Sequence, residues 1–376
     1  MIRRPPRSTL SSSSAASDVY KRQIMTLVFS VVWLSAIPSK QVGTTCSHPE
    51  IAGGAGTYGV PFVVSSAASR LRWGLKAIRA PEAWRITQGS EEVIVAIIDS
   101  GIDYTVPLLR DHMWKNPDEI PDNGIDDDKN GYVDDVHGWD FRDNDPDSLV
   151  GTPISYHGTF VAGLVAASVD AATGVGGVAP RVRIMDIRFL DSRGFFYKSD
   201  WWKLAQAIEY AVENGARIIN LSLYARVDPP GFVCHAIRNA TKRGVLVITI
   251  AGNEGSRVKA FGRLPDVVTV GAVDKHMSPA PFSSRGPEVD LAAPGVDVIS
   301  IVPGGVPVSS SGTSFAAPHV AGTAALLWAL DKRLSPEGVR EILRSTARDV
   351  GSPGKDCLLY TSDAADEEDS VDLGGR

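Results

Sequence analysis

The sequence predicts an α/β fold built on a doubly wound, mostly parallel sheet with helices on both faces. Short apolar runs alternate along the chain with longer segments of helical pattern, and this alternation is typical of parallel sheets. Of the 376 residues, 43% are hydrophobic, which is enough to bury a large core. The formal net charge of −6 argues against nucleic acid and against an anionic membrane surface as partners.

The predicted strands and helices alternate within residues 72–350, which we expect to form one large domain. The first strand is apolar throughout, as expected of a strand buried on both faces of its sheet. Strands are predicted at 93–98, 183–188, 218–221, 246–250 and 267–272. Helices are predicted at 157–168, 200–213, 232–243, 314–330 and 335–345.

The two ends of the chain differ in character from this region. Residues 1–23 and 357–376 resemble translated adapter sequence, and we treat them as non-native tails outside the fold. Residues 24–40 contain an apolar run of signal-peptide length, too short to span a bilayer, which favours a secreted or extracytoplasmic protein. A buried strand or part of a lost N-terminal region are the alternatives for this run. Residues 41–71 are interpreted as a linker or N-terminal extension.

Asp99 stands at the end of the first predicted strand, and Gly101 turns the chain directly after it. Ligand sites in parallel sheets collect at the carboxyl ends of the strands, so this carboxylate is a candidate functional group. A carboxylate in this place also occurs as a simple cap of a strand-to-helix turn. The segment by itself does not decide between these two interpretations.

Two predicted helix starts carry the other candidate groups. Ser314 follows a tight turn at Gly312, and the unpaired N–H groups and dipole of a helix start favour an oxyanion there. A serine nucleophile needs a base, and histidine titrates in the neutral range. His157 opens another helix of small residues, although a lone histidine in that place is more often structural. His319, one turn after Ser314, is expected to pack or hydrogen-bond within the fold.

Taken together, these segments resemble the motifs of the subtilisin-like serine peptidases, the subtilase family. They read Asp-Ser-Gly at Asp99, His-Gly-Thr-x-Val-Ala-Gly from His157, and Gly-Thr-Ser-x-Ala-Ala-Pro-His-Val-Ala-Gly around Ser314. The resemblance covers residues 72–350 and implies a subtilisin-like fold that hydrolyses peptide bonds in polypeptide substrates. It also implies that Asp99, His157 and Ser314 act as a catalytic triad through an acyl-enzyme intermediate.

The same resemblance implies the groups that bind the reacting peptide. Asn253, in the segment Ala-Gly-Asn-Glu-Gly, would place its side-chain amide in the oxyanion hole. Substrate peptides are expected to bind as added strands. The residues implied in this binding are Ser222, Leu223, Tyr224, Ala251, Gly252 and Glu254.

Two of these residues leave the cleavage preference open. The family usually has Gly where this chain has Tyr224, and a bulky ring there would narrow the mouth of the specificity pocket. Glu254 is expected at the base of that pocket, where a carboxylate would admit a basic side chain. The alternative for Glu254 is a solvated turn residue.

An acidic loop at 121–135 has the spacing of a calcium site. It matches the front half of an EF-hand loop, with Gly131 at the turn, but His137 stands where that loop needs a bidentate Glu. So many carboxylates repel one another unless a cation binds, so we expect a structural Ca²⁺ ion and no organic cofactor. An acidic solvated loop is the alternative. The expected ligands are Asp126, Asp128, Asn130, Tyr132 and Asp134.

Other classes of function are less consistent with these residues. A catalytically silent subtilisin-like fold acting as a binding module is disfavoured, because a silent relative would usually have lost one of the four catalytic groups named above. An acid-active relative that uses Glu as its base is disfavoured by His157. The sequence therefore predicts a secreted, monomeric serine endopeptidase.

Overall fold

The computed structural model describes residues 51–55, 58–63 and 73–348. The two tails interpreted as non-native and the candidate signal peptide lie outside the described residues. Within them, all ten strands and helices predicted above are present, with ends within two residues of the expected ones.

The described residues form thirteen strands and eight α-helices, of which ten were predicted from the sequence. The strands are β1 (Ile51–Ala55), β2 (Tyr58–Val63), β3 (Ile94–Asp99), β4 (Gly138–Asp140), β5 (Arg183–Arg188), β6 (Phe195–Tyr197), β7 (Ile218–Leu221), β8 (Leu223–Ala225), β9 (Leu246–Ile250), β10 (Val267–Val273), β11 (Leu291–Pro294), β12 (Val298–Ile301) and β13 (Pro307–Ser311). The helices are α1 (Trp73–Ala77), α2 (Ala80–Ala83), α3 (Pro107–Arg110), α4 (Tyr156–Ala166), α5 (Trp201–Glu213), α6 (Gly231–Lys242), α7 (Thr313–Leu330) and α8 (Pro336–Ser345).

A seven-stranded parallel sheet lies at the centre, with the strand order β11-β10-β9-β7-β3-β5-β4. After β3 the chain adds strands first on one side and then on the other, so the order of the sheet reverses at β3. In doubly wound sheets this reversal point leaves a crevice at the carboxyl ends of the strands, which is where ligands bind. Asp99 is the last residue of β3 and therefore lies at this crevice.

The sheet is covered on both faces, as the sequence predicts. Alternate residues of β3 belong to different cores: Ile97 packs with α4 and α7, and Ile98 packs with α5 and α6. Both side chains are fully buried, and each such burial contributes about 1.5–3 kcal/mol to stability. Two-sided burial explains why β3 is apolar throughout, and it confirms the predicted α/β class.

Two small antiparallel sheets flank the central one. Their strand orders are β6-β1-β8 and β12-β13-β2. Strands β1 and β2 lie in segment 41–71, for which no regular structure was predicted, because their pairing partners are distant in sequence and leave no local pattern. Among the described helices, none has the length and apolarity needed to cross a membrane.

Candidate active site

The carboxylate of Asp99 and the imidazole of His157 are in direct contact. Nδ1 of His157 lies 2.8 Å from Oδ1 and 2.9 Å from Oδ2 of Asp99, so the ring donates this N–H to the carboxylate. Both residues are fully buried, which strengthens the contact because little solvent screens it. The other ring nitrogen, Nε2, is buried and has no hydrogen-bond partner among the described residues. Because a carboxylate only accepts, Nδ1 carries the N–H of this contact, and in the neutral ring Nε2 is then the acceptor.

The turn after Asp99 is held tightly against helix α4. The backbone N–H of Ser100 donates to Oδ1 of Asp99 at 2.7 Å, and the Ser100 hydroxyl accepts from the N–H of Gly158 at 3.0 Å. Gly101 has φ +88°, a conformation that glycine adopts without strain. A Cβ on Gly158 would lie 2.4 Å from the Gly101 carbonyl, so only glycine allows the helix to approach the turn this closely. This close approach brings His157 to the carboxylate.

Ser314 lies in the first turn of α7, also buried. Its hydroxyl donates to the backbone carbonyl of Ser222 at 3.0 Å, and the Ser222 hydroxyl donates back to the Ser314 carbonyl at 2.8 Å. The ring of His157 packs on the next residue, Phe315, with centroids 5.4 Å apart. This ring contact brings the start of α7 against the imidazole, and the Ser314 hydroxyl is bonded to Ser222 rather than to His157.

Asn253 is anchored at the same helix start. Its Oδ1 accepts from the backbone N–H of Thr313 at 2.9 Å and from the Thr313 hydroxyl at 2.7 Å. Two bonds to one oxygen fix the orientation of the amide, and the buried Nδ2 has no partner among the described residues. A buried N–H₂ group without an acceptor is costly, so this donor is free for a ligand atom at the helix start.

Five of the six residues expected to bind substrate line one pocket beside this site: Leu223, Tyr224, Ala251, Gly252 and Glu254. Ser222 lies just outside it, bonded to Ser314 as described. Two cations that the sequence did not single out, Arg257 and Lys259, also line the pocket. Lys259 forms an ion pair with Glu254, and both side chains are about half exposed. The pairing reduces the negative charge that Glu254 was expected to offer to a basic substrate side chain.

Strand β1 occupies the edge of β8 next to the site. Gly54 pairs with Tyr224 and Ala55 with Leu223, while the other edge of β1 pairs with β6. Backbone bonds of 2.7 Å from Ala55 to Gly194 and from Arg226 to Ala52 complete the ladder. A peptide that adds a strand to this edge of β8 would have to displace β1.

The acidic loop is held together mainly by its own side chains. Asp126 accepts from the N–H groups of Asn130 and Gly131, and Asp134 accepts from those of Asn123 and Gly124, all at 2.9–3.0 Å. Tyr132 packs its ring on Trp139, Phe141 and Tyr210. Of the five expected ligands, only Asp128 is in the carboxylate group described next.

Oxygens of Glu119, Asp128 and Asp135 lie within 4.8 Å of one another. Glu119 and Asp135 are buried, and burial raises the pKa of Asp135 to about 6 even though hydrogen bonds from Tyr210 and Asn116 lower it. Calcium takes oxygen ligands at about 2.3–2.6 Å, so three oxygens at this separation can share one ion. Glu119 was not predicted as a ligand, because it precedes the loop that carries the recognisable spacing.

A family comparison identifies the class to which this fold and site belong. The model of the subtilase family (peptidase S8) matches residues 90–360. The chain therefore belongs to the subtilase family, a family of serine-type endopeptidases.

Individual relatives agree with this class. The chain is 39% identical over 279 residues to the thermophilic serine proteinase of Bacillus sp. (strain AK1), covering 72% of this chain and 60% of that protein. It is 34% identical over 287 residues to thermitase of Thermoactinomyces vulgaris, covering 76% of this chain and 91% of that protein. A crystal structure of a cold-adapted subtilisin-like serine proteinase superimposes with a TM-score of 0.57 at 26% identity, over 73% of this chain and 91% of that one.

Proposed function

We propose that this chain hydrolyses peptide bonds with Ser314 as nucleophile, His157 as general base and Asp99 as the group that orients the base. The observation that carries the proposal is the buried contact of Asp99 with Nδ1 of His157 at 2.8 and 2.9 Å. This contact leaves Nε2 as the only ring nitrogen able to take a proton. For the reaction, the Ser314 hydroxyl must leave the Ser222 carbonyl and donate to that nitrogen instead.

The reaction then follows from proton transfers at Nε2. His157 removes the hydroxyl proton of Ser314 as the oxygen attacks the carbonyl carbon, and the Asp99 carboxylate stabilises the imidazolium that forms. His157 next delivers the proton to the leaving amine, which breaks the peptide bond and leaves an acyl-enzyme. Water, activated by the same nitrogen, releases the acid product and restores Ser314.

The oxyanion of each tetrahedral intermediate is stabilised by Asn253 and the backbone of Ser314. The Nδ2 group of Asn253 is the unpartnered donor at the start of α7, and Thr313 fixes its direction. Because both donors are in place before the reaction, they stabilise the developing charge without reorganising.

Polypeptide substrates bind, in this proposal, as a strand on β8 with one side chain in the pocket next to it. Tyr224 lies at the junction, since it both pairs along the strand edge and lines the pocket. The substrate must displace β1 to reach this edge. Glu254 contributes less to the choice of substrate than its sequence position indicates, because Lys259 pairs with it.

We also propose that a structural Ca²⁺ ion binds the acidic loop through Glu119, Asp128 and Asp135. The support is the close approach of three carboxylates, two of them buried, where an uncompensated charge is costly. Hard oxygen ligands suit calcium, and the ion would neutralise the loop without taking part in the chemistry at Ser314. Export from the cytoplasm remains our proposal on the basis of the apolar run in residues 24–40.

Peptide hydrolysis by matched variants tests the proposed function. We expect the parent to cleave an unfolded protein substrate, and His157→Ala to lose at least about 10⁴-fold in kcat while keeping its fold. His276→Ala is the control, because this histidine is exposed and distant from the triad in sequence. A folded parent without hydrolysis would favour the silent binding module instead, and full turnover by His157→Ala would refute the assigned base.

A further inference from the structure

We propose that Asp186 is a positioning residue that holds the Asp99 turn in the geometry needed for catalysis. This inference rests on the proposed function, since it gives Asp186 its effect through Asp99. Asp186 lies on β5, which pairs with β3 in parallel register, Ile97 opposite Asp186 and Asp99 opposite Arg188. Its side chain is 4% exposed.

The carboxylate of Asp186 binds the far end of the turn. Oδ2 accepts from the backbone N–H of Ile102 at 3.1 Å and from the hydroxyl of Ser148 at 2.5 Å. Ile102 is three residues after Asp99, so this bond fixes the chain where it leaves the catalytic carboxylate. Ile102 is fully buried, and its N–H would be left unpaired without Asp186.

The near end of the same turn is fixed from the opposite side. Ser100 bonds to the N–H of Gly158 on α4, as described above, and a Cβ on Gly101 would lie 2.6 Å from Ile154 and 3.2 Å from Arg188. Helix α4 therefore holds the turn at Ser100 and again at Asp103, whose N–H donates to the Thr159 hydroxyl at 2.9 Å, and Asp186 of β5 holds it between them at Ile102. The N–H groups of Phe189 and Leu190 bond to the Asp99 carbonyl and hold the end of β3 without Asp186. Loss of the Asp186 carboxylate frees the turn at Ile102, and the Asp99 side chain then loses part of the support that orients it towards the imidazole.

Burying the Asp186 carboxyl costs more free energy than a purely structural role would explain. Its Oδ1 is buried with no hydrogen-bond partner among the described residues, and burial raises the pKa of this carboxyl to about 7. Arg188 does not neutralise it directly, because the Arg188 guanidinium pairs with Asp140 at 2.8 Å. A buried carboxyl group that has no direct ion-pair partner in the described part of the chain and binds the turn that carries Asp99 fits a positioning role better than a packing role.

Variants at Asp186 separate these two roles. We expect Asp186→Ala to lower kcat about tenfold with KM unchanged, because the Ile102 N–H loses its acceptor. Asp186→Asn retains an acceptor oxygen of the same shape and should restore most of kcat. The control is Asp290→Ala, which removes another buried carboxylate that accepts a strand N–H, from Thr269 at 2.9 Å. The side chain of Asp290 binds this N–H and Arg340, neither of which belongs to the triad. The control should lose stability but keep kcat.

A double-mutant cycle shows whether the effect passes through Asp99. In an Asp99→Ala background, Asp186→Ala should cause no further fall in kcat, because the group it positions is already gone. An unchanged kcat in Asp186→Ala alone, or an additional tenfold fall in the Asp99→Ala background, would overturn the positioning role. If Asp186→Ala does not fold, Ser148→Ala decides: it should lower kcat about threefold at constant KM, and an unchanged kcat would contradict the proposal.

These outcomes are distinct from a failure of the proposed function. Normal turnover by Asp99→Ala would refute the triad itself. A large loss in Asp99→Ala together with normal turnover in Asp186→Ala would leave the triad standing and refute only the role of Asp186.

Discussion

Two buried histidines near the start of α7 differ in the group that accepts their Nδ1–H. His157 donates Nδ1–H to the Asp99 carboxylate, whereas His319 donates Nδ1–H to the Phe315 carbonyl at 2.7 Å. Burial lowers the pKa of His319 to about 4, so this ring stays neutral at physiological pH. In the proposed mechanism, the carboxylate partner suits a ring that gains a proton. The carbonyl partner suits a structural donor, as expected for His319 from the sequence.

We expect His319→Gln to reduce the fall in the free energy of unfolding between neutral pH and pH 4. His319 is protonated near pH 6.5 in the unfolded chain and only near pH 4 in the folded protein. The stability that the folded protein has with a neutral His319 is therefore complete above pH 6.5 and is lost as the pH falls towards 4. The loss reaches about 3 kcal/mol by pH 4. Denaturant unfolding from neutral pH to pH 4, in a Ser314→Ala background that limits self-digestion, measures it. If the free energy of unfolding falls equally with pH in both proteins, His319 is not the cause of the acid destabilisation.

Single residues of the site were predictable where a motif surrounds them. Asp99, His157 and Asn253 each follow or open a predicted element, and the structure places them at the crevice where such elements end. The places of Lys259 and Glu119 in their sites were not predictable. Each reaches its partners through an irregular loop, and irregular loops have no periodic sequence pattern.

Among the elements, the strands and helices of the central layers were predictable because each carries its own pattern. The buried parallel strands are continuous apolar runs, and α8 begins with the N-cap Ser335, which accepts from Gly338 at 3.0 Å, followed by a proline at its first position. Strand β1 carries no such pattern, since Gly-Gly interrupts it. Its structure depends on the edges of β6 and β8, which are more than 100 residues away in sequence.

We expect Gly53→Val to increase the affinity for peptide substrates by expelling β1. A Cβ at Gly53 would lie 2.0 Å from the Tyr224 carbonyl and 2.5 Å from the Phe196 ring, so the strand cannot stay in place. Removal of this internal competitor raises the fraction of molecules with an open β8 edge, and KM should fall about tenfold at constant kcat. Steady-state kinetics with a short peptide substrate measure the change.

Gly231→Ala is the matched control for this variant. A Cβ at Gly231 meets nothing within 4 Å, so this substitution should leave KM unchanged. Damage to the fold would lower activity, and a gain is therefore not explained by misfolding. An unchanged or higher KM in Gly53→Val would mean that β1 does not compete with substrates.

For the whole molecule, the order of strands explains how groups from distant parts of the chain meet. Asp99 ends the strand at which the sheet reverses, and the helices that carry His157 and Ser314 pack on the same face of that sheet. The contact between α4 and α7 includes the rings of Phe160 and Phe315, whose centroids are 4.4 Å apart. Packing of these two helices on one sheet fixes the positions of the residues they carry.

We expect a calcium chelator to lower the melting temperature of the whole protein, because it removes the charge that balances Glu119, Asp128 and Asp135. Glu119→Gln removes one of these carboxylates and should make the melting temperature insensitive to the chelator. Calorimetry with and without chelator measures these melting temperatures, with Ser314→Ala as the parent background and Glu119→Gln added to it. Equal melting temperatures in the parent background, with and without chelator, would argue against the metal site.

Covalent labelling with a fluorophosphonate tests the central claim most directly, because this reagent reacts with a serine only when a base activates it. We expect one adduct per folded chain, mapped by peptide mass spectrometry to Ser314, absent from Ser314→Ala and strongly slowed in His157→Ala. Undiminished labelling of Ser314→Ala, or an adduct on a different serine in the parent protein, would contradict the account.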